Sequence, residues 1–152
     1  MGSLPPFAET VAEFFQSTTT LVWRTESTVH TVATFTVKSL EVDVDFEQRS
    51  QDGPWHVGFN VGGGEPVDQM NMAPAFRIFN GVFQAVWEFV ECREPETLVF
   101  VAEDDDLASV WATYLHRDRN ALEALGYELR GPDRVGQNSE WTVRRVKCSG
   151  LR

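Results

Sequence analysis

Four carboxylates alternate with apolar residues in one short segment of the chain. They are Glu41, Asp43, Asp45 and Glu47. Every second side chain of an extended strand points to the same face, so these acids form a row with a spacing of about 6–7 Å. Such a row can bind a basic partner or, together with other segments, a divalent cation. It is also typical of the solvent-exposed face of an antiparallel sheet. We prefer this last interpretation to the two binding sites.

A second acidic group consists of Asp104, Asp105 and Asp106, which follow an apolar segment at 97–102. Carboxylates at the carboxyl end of a strand can serve as acid catalysts or metal ligands. The same residues suit the start of a helix, where a carboxylate accepts hydrogen bonds from free backbone N–H groups. Helix capping explains two of the three acids, and we therefore predict no metal cofactor.

Three consecutive glycines, Gly62, Gly63 and Gly64, separate a strand-like segment from a helical one. Their backbone N–H groups could form an anion-binding nest. No Lys, Ser or Thr stands beside them to complete a phosphate site, and this favours a flexible connection.

Tyr114 lies on the apolar stripe of the helix predicted at 104–125. In a cleft its hydroxyl could act as a general acid. A tyrosine on such a stripe more often packs its ring and forms a local hydrogen bond. We therefore favour a structural role for Tyr114 over a catalytic one.

The elements that would position these residues follow from hydrophobic periodicity and from the Gly and Pro positions. We predict a helix at 7–17, antiparallel strands within 21–61, a helix at 73–92, a central strand at 97–102, a helix at 104–125 and two strands within 127–146. The segment from 55 to 102 is typical of a strand, a crossover helix and a parallel strand. The predicted class is α+β, a single domain with one mixed, mostly antiparallel sheet of about six strands.

Composition narrows the classes of function. The 152 residues include 23 acidic and 13 basic ones, and the formal net charge is −10. A chain this acidic repels phosphate backbones and anionic membrane surfaces, so we expect neither direct nucleic-acid binding nor membrane binding. The first residues lack the basic start and apolar run of a secretion signal, and the two cysteines show no pairing pattern. We predict a cytoplasmic protein.

The order of elements resembles the fold of the GNAT N-acetyltransferases. In that family the second main helix commonly ends in Gly and an aromatic residue, as at Gly126-Tyr127. The chain is also similar to a group of short, uncharacterised phage and bacterial proteins. The matching residues are Phe76 to Phe79, Pro95 to Ala102, Tyr114 and Gly126-Tyr127.

The resemblance to the acetyltransferases implies a cofactor-binding turn before the crossover helix and a general-acid tyrosine near the end of the next helix. Here the turn position, 68–74, contains no glycine, and Leu122 stands at the tyrosine position. We therefore expect a degenerate acyltransferase-like domain without a cofactor, which binds another protein as a phage accessory or host-factor-binding protein.

The alternative that the resemblance implies is an active N-acetyltransferase. In that case acetyl-CoA would lie against the backbone of Gly62 to Gly64 and of Asn71, Met72 and Ala73. The least favoured possibility is a divalent-metal enzyme that uses Asp104 to Asp106 with the acids at 41–47.

Overall fold

A computed structural model of the protein describes residues 19–62 and 72–146, the side chains of residues 72–75 excepted. The helix predicted at 7–17 lies outside these residues. The described elements are β1 (Val22–Ser27), β2 (His30–Val37), β3 (Leu40–Gln48), β4 (Trp55–Gly62), α1 (Met72–Arg93), β5 (Thr97–Ala102), α2 (Asp105–Arg117), α3 (Arg119–Ala124), β6 (Tyr127–Val135) and β7 (Asn138–Arg145).

The strands form one mixed sheet in the order β1-β2-β3-β4-β5-β7-β6. Strand β4 pairs in parallel with β5, and the helix between them, α1, is the predicted crossover. The pairs β1–β2, β5–β7 and β6–β7 are antiparallel. The α+β class and the mixed sheet are confirmed. The described part of the sheet has seven strands rather than about six, because Val22–Ser27 pairs with β2 as a full strand.

The chain divides into two compact units. The first contains the residues up to Phe46 together with Phe59–Glu94, and the second contains Glu47–Gly58 and the chain from Pro95 onward.

In the first unit, α1 packs on one face of the strands. The Phe46 and Phe89 rings stack with their centroids 4.2 Å apart, and the Trp23 ring lies 5.8 Å from Phe46. The Trp23 indole N–H donates to Glu88 at 3.0 Å, which satisfies the polar end of a half-buried aromatic side chain. The helix has an apolar stripe in the sequence, and Phe76 at its start is 54% exposed. The rest of the stripe is buried: Phe79, Val82, Phe83, Val86, Phe89 and Val90.

In the second unit, the aromatic side chains of α2 and β5 form the core. Trp111 packs edge-on against Phe100 at 5.2 Å, and its indole N–H donates to the carbonyl of Val101 at 3.1 Å. The Tyr127 hydroxyl donates to the carbonyl of Pro95 at 2.6 Å. Buried indole and phenol groups that find such acceptors fix the positions of their rings.

Two boundaries differ from the prediction. The segment 104–125, predicted as one helix, consists of α2 and α3, because Asp118 adopts a non-helical conformation and its backbone N–H bonds to the carbonyls of Tyr114 and His116. The segment 131–139, whose Gly and Pro residues predict a turn between the last two strands, is largely strand. Strand β6 continues to Val135 through an irregularity between Arg130 and Asp133.

Candidate functional site

Strand β3 carries its acids on the face that α1 does not cover. Val42, Val44 and Phe46 are fully buried. Strand geometry turns the alternate residues Asp43 and Asp45 the other way, where they are partly exposed. The predicted alternation is therefore confirmed.

Two acids of β3, Asp43 and Asp45, are held by neighbouring side chains. The Thr34 hydroxyl donates to Asp43 at 2.7 Å. The His30 Nε2 atom lies 2.9 Å from an oxygen of Asp45. These contacts across β2 and β3 fix two carboxylates of the predicted solvent-exposed face, which remain partly exposed.

Arg24 of β1 lies beside this acidic group. Its guanidinium bonds to Glu26 and donates to the Thr34 hydroxyl at 3.3 Å. The hydrogen bond with Glu26 raises the pKa of Arg24 above its ordinary value, and the charges of Asp43 and Asp45 add to the increase. The outer face of β1–β3 is thus a mainly acidic surface, and the exposed Arg24 guanidinium lies among its carboxylates. We call Glu26, Glu41, Asp43 and Asp45 the acidic face.

Glu47, the last acid of the predicted row, belongs to the second unit. It lies 3.7 Å from the Arg49 guanidinium, and both side chains are more than half exposed. Ion pairs of this kind contribute little to stability because water and salt screen them.

A groove of about 980 Å³ opens in the first unit. Its walls come from β1, β2, β3, the β2–β3 turn and α1. It contains three cationic side chains, Arg24, Lys38 and Arg77, together with the acid Glu41. The three cations were not predicted as site residues. Each is isolated in the sequence, and only the fold brings them to one depression.

Asp104 is the N-cap of α2, and its carboxylate accepts a hydrogen bond from the backbone N–H of Leu107 at 2.8 Å. Asp105 and Asp106 lie in the first turn, where their charges favour the helix dipole. The capping interpretation is thus confirmed for Asp104. Within residues 19–62 and 72–146 no three His, Cys, Asp or Glu side chains come together as a potential metal site.

The predicted cofactor-binding residues are only partly described. Gly62 ends β4, and Met72 and Ala73 begin α1. Gly63, Gly64 and Asn71 lie outside the described residues.

Tyr114 is buried in the second unit, with 7% of its surface exposed. The Arg117 guanidinium lies 4.4 Å from the centre of its ring. Burial raises the pKa of the Tyr114 hydroxyl, since the protein interior disfavours the phenolate. At neutral pH the hydroxyl is therefore protonated and can donate a hydrogen bond. The ring is packed in the unit, and the Arg117 cation lies over its face.

Two buried nitrogens are unsatisfied among the described residues, His56 Nδ1 and Trp141 Nε1. Burial lowers the pKa of His56, and the nearby charge of Arg49 lowers it further. The sequence contained no signal for either environment, because neither residue belongs to a motif.

No helix in the described ranges is both long and apolar enough to cross a membrane. Comparisons with protein-family models, curated proteins and solved structures give no match to this chain. The function is accordingly inferred from the geometry of the acidic face and the groove.

Proposed function

We propose that the protein is an interaction domain that binds a basic segment of a partner protein through the acidic face. One observation carries the proposal. Complete burial of Val42, Val44 and Phe46 fixes the register of β3, and a shift of one residue would bury carboxylates in place of apolar side chains. Core packing therefore holds the acids outward.

The chemistry of the acidic face suits lysine and arginine side chains. Asp43 and Asp45 are positioned by Thr34 and His30, so they lose little conformational freedom when a cation binds. An arginine can form two parallel hydrogen bonds with such a carboxylate. The net charge of −10 would also speed the approach of a basic partner at low salt.

A role as a phage accessory or host-factor-binding protein in the cytoplasm is part of this proposal, and its support is the sequence resemblance at residues 76–79, 95–102, 114 and 126–127. The element order supports a degenerate acyltransferase-like domain as the scaffold, because α1 joins the parallel strands β4 and β5.

The test is the binding of a fluorescent arginine-rich peptide, measured by anisotropy at several NaCl concentrations. The double variant Glu41→Gln, Asp43→Asn removes two negative charges. The amide oxygen of the new Asn side chain can still accept the hydrogen bond from the Thr34 hydroxyl. We expect it to bind the peptide about tenfold more weakly, equivalent to about 1.4 kcal/mol. Affinity of the unmodified protein should fall steeply with salt.

The matched control is Glu103→Gln, Asp106→Asn, which removes the same charge from exposed positions of the second unit. If both double variants lose affinity equally, net charge rather than the acidic face attracts the peptide. Binding that does not change with salt would contradict the proposal.

The alternative function is an N-acetyltransferase that uses acetyl-CoA. Its support is the parallel β4–β5 pair and the start of α1 at Met72, since backbone N–H groups at a helix N-terminus can bind phosphate. Calorimetry with acetyl-CoA tests it, and the absence of heat at millimolar ligand would exclude it.

A further inference from the structure

We infer that the groove of the first unit binds a small molecule that bears phosphate groups. Its volume, about 980 Å³, lies at the upper end of the range of small-molecule sites, about 300–1,000 Å³. The groove shares Arg24 and Glu41 with the region of the acidic face, but its proposed ligand differs, because three of its four charged side chains are cations.

The polar groups of the groove match an anion with several oxygens. Arg24, Lys38 and Arg77 provide three positive charges. Thr20 and Thr36 add hydroxyl donors. Guanidinium groups form paired hydrogen bonds with phosphate, and an ammonium group binds it as a point charge.

Lys38 and Arg77 are the important cations. Arg24 already bonds to Glu26, whereas the described residues provide no ion-pair partner within 4.0 Å for Lys38 or Arg77. Three cations around one depression also stand out in a chain that contains only 13 basic residues against 23 acidic ones.

The backbone at Lys38 shows how this cation is placed at the groove. Lys38 and Ser39 form the β2–β3 turn with φ values of 48° and 66°. Two-residue hairpin turns with positive φ strongly favour Asn and Gly. A lysine in this conformation is strained. Here the turn brings a cation to the groove.

Glu41 also lines the groove and opposes an anion there. Neutralising it should therefore strengthen phosphate binding, while the same change weakens peptide binding at the acidic face. Because Glu41→Gln should change the two affinities in opposite directions, the two measurements test the two proposals separately, and either proposal can fail without the other.

The experiment is a titration of the full chain with inorganic pyrophosphate, followed by amide NMR shifts and calorimetry, and a parallel titration with ADP. We expect saturable shifts at Thr20, Thr36 and Asn80, with the dissociation constant in or below the millimolar range. Binding of both ligands, or of ADP alone, supports a phosphate-bearing small molecule. No saturation by either ligand up to about 10 mM would overturn the inference.

The variants Lys38→Gln and Arg77→Gln, made together, should weaken pyrophosphate binding by at least about tenfold. Arg134→Gln is the control, since Arg134 is exposed in the second unit. Equal losses in the variant and the control would overturn the inference.

Lys38→Gly separates binding from folding. Glycine relieves the strained turn, so we expect equal or greater resistance to urea together with weaker pyrophosphate binding. Unchanged pyrophosphate affinity in Lys38→Gly and in Glu41→Gln would show that the groove does not bind phosphate.

Discussion

At the scale of single residues, His56 is a half-buried side chain with one buried, unsatisfied nitrogen. Its Nδ1 atom is shielded from solvent and lacks a hydrogen-bond partner among the described residues. A buried unpaired group of this kind costs about 1–3 kcal/mol. Burial and the Arg49 charge also lower the pKa of His56 below its ordinary value of 6.5. The native protein therefore takes up a proton at this site less readily than the unfolded chain does.

This difference predicts a loss of stability on acidification. Above pH 6.5 both states are mostly neutral at His56, and below it the unfolded chain takes up the proton first. The unfolding free energy should therefore fall from pH 6.5 down to the lowered pKa of the native state. Urea unfolding at several pH values should show a shallower decrease for His56→Gln than for the unmodified protein.

His116→Gln is the control, because His116 is exposed on α2. It should keep the pH dependence of the unmodified protein. If His56→Gln keeps it as well, another group causes the loss of stability.

At the scale of elements, the contact between α1 and β2 depends on a missing side chain. Gly81 lies in the middle of α1, and a Cβ atom there would come within 2.4 Å of two atoms of the Phe35 ring. The absence of that atom lets the helix approach the strand. Gly81 is thus required by packing, although glycine lowers helix propensity by up to about 1 kcal/mol relative to alanine.

Gly81→Ala is accordingly expected to destabilise the protein. The overlap with Phe35 should cost about 1–3 kcal/mol, which exceeds the gain in helix propensity. Chemical denaturation measures the change. Combining Gly81→Ala with Phe35→Leu should recover part of the loss, and a double-mutant cycle gives the coupling free energy. A Gly81→Ala variant more stable than the original protein would contradict this account of the contact.

The elements that could be predicted from sequence are those with one strong periodicity. The alternation at 41–47 lies within β3, and the helix predicted at 73–92 corresponds to α1 with nearly the same bounds. The break at Asp118 was missed because the apolar stripe continues through it into α3. Strand β6 was predicted too short because Gly131 suggested a turn, whereas its φ of 120° belongs to an irregular strand.

The groove was harder to predict than the acidic face. The acids on β3 are near neighbours in the sequence, so strand geometry alone relates them. Arg24, Lys38 and Arg77 come from a strand, a turn and a helix that are far apart in sequence. Their proximity depends on how α1 packs against β2, and this packing cannot be predicted from a local sequence pattern.

At the scale of the whole molecule, the excess of negative charge opposes folding. With 13 basic and 23 acidic residues, the net charge of −10 is larger than a small domain needs for solubility. Repulsion among like charges destabilises the compact state more than the expanded one. The ion pairs Arg119–Glu123 and Arg49–Glu47 are half exposed or more and offset little of this repulsion.

Moderate salt should therefore stabilise the protein. Raising NaCl from about 20 to 200 mM shortens the Debye length from roughly 20 Å to roughly 7 Å, which screens the repulsion, and the melting temperature should rise. Differential scanning calorimetry measures the shift. The variant Glu41→Gln, Asp43→Asn carries two fewer negative charges and should respond less. A melting temperature that falls over this range would show that favourable ion pairs outweigh the repulsion.

The irregularity in β6 also bears on self-association. Strand β6 is the last strand in the described sheet order, so its outer edge is a potential template for a strand of another molecule. Pro132 has no N–H to donate, and the strand register shifts between Arg130 and Asp133. The charges of Arg130, Asp133 and Arg134 along the same exposed strand further disfavour an apolar neighbour. The Gly131-Pro132 segment, which the sequence suggests is a turn, thus interrupts the strand edge and makes it resistant to aggregation.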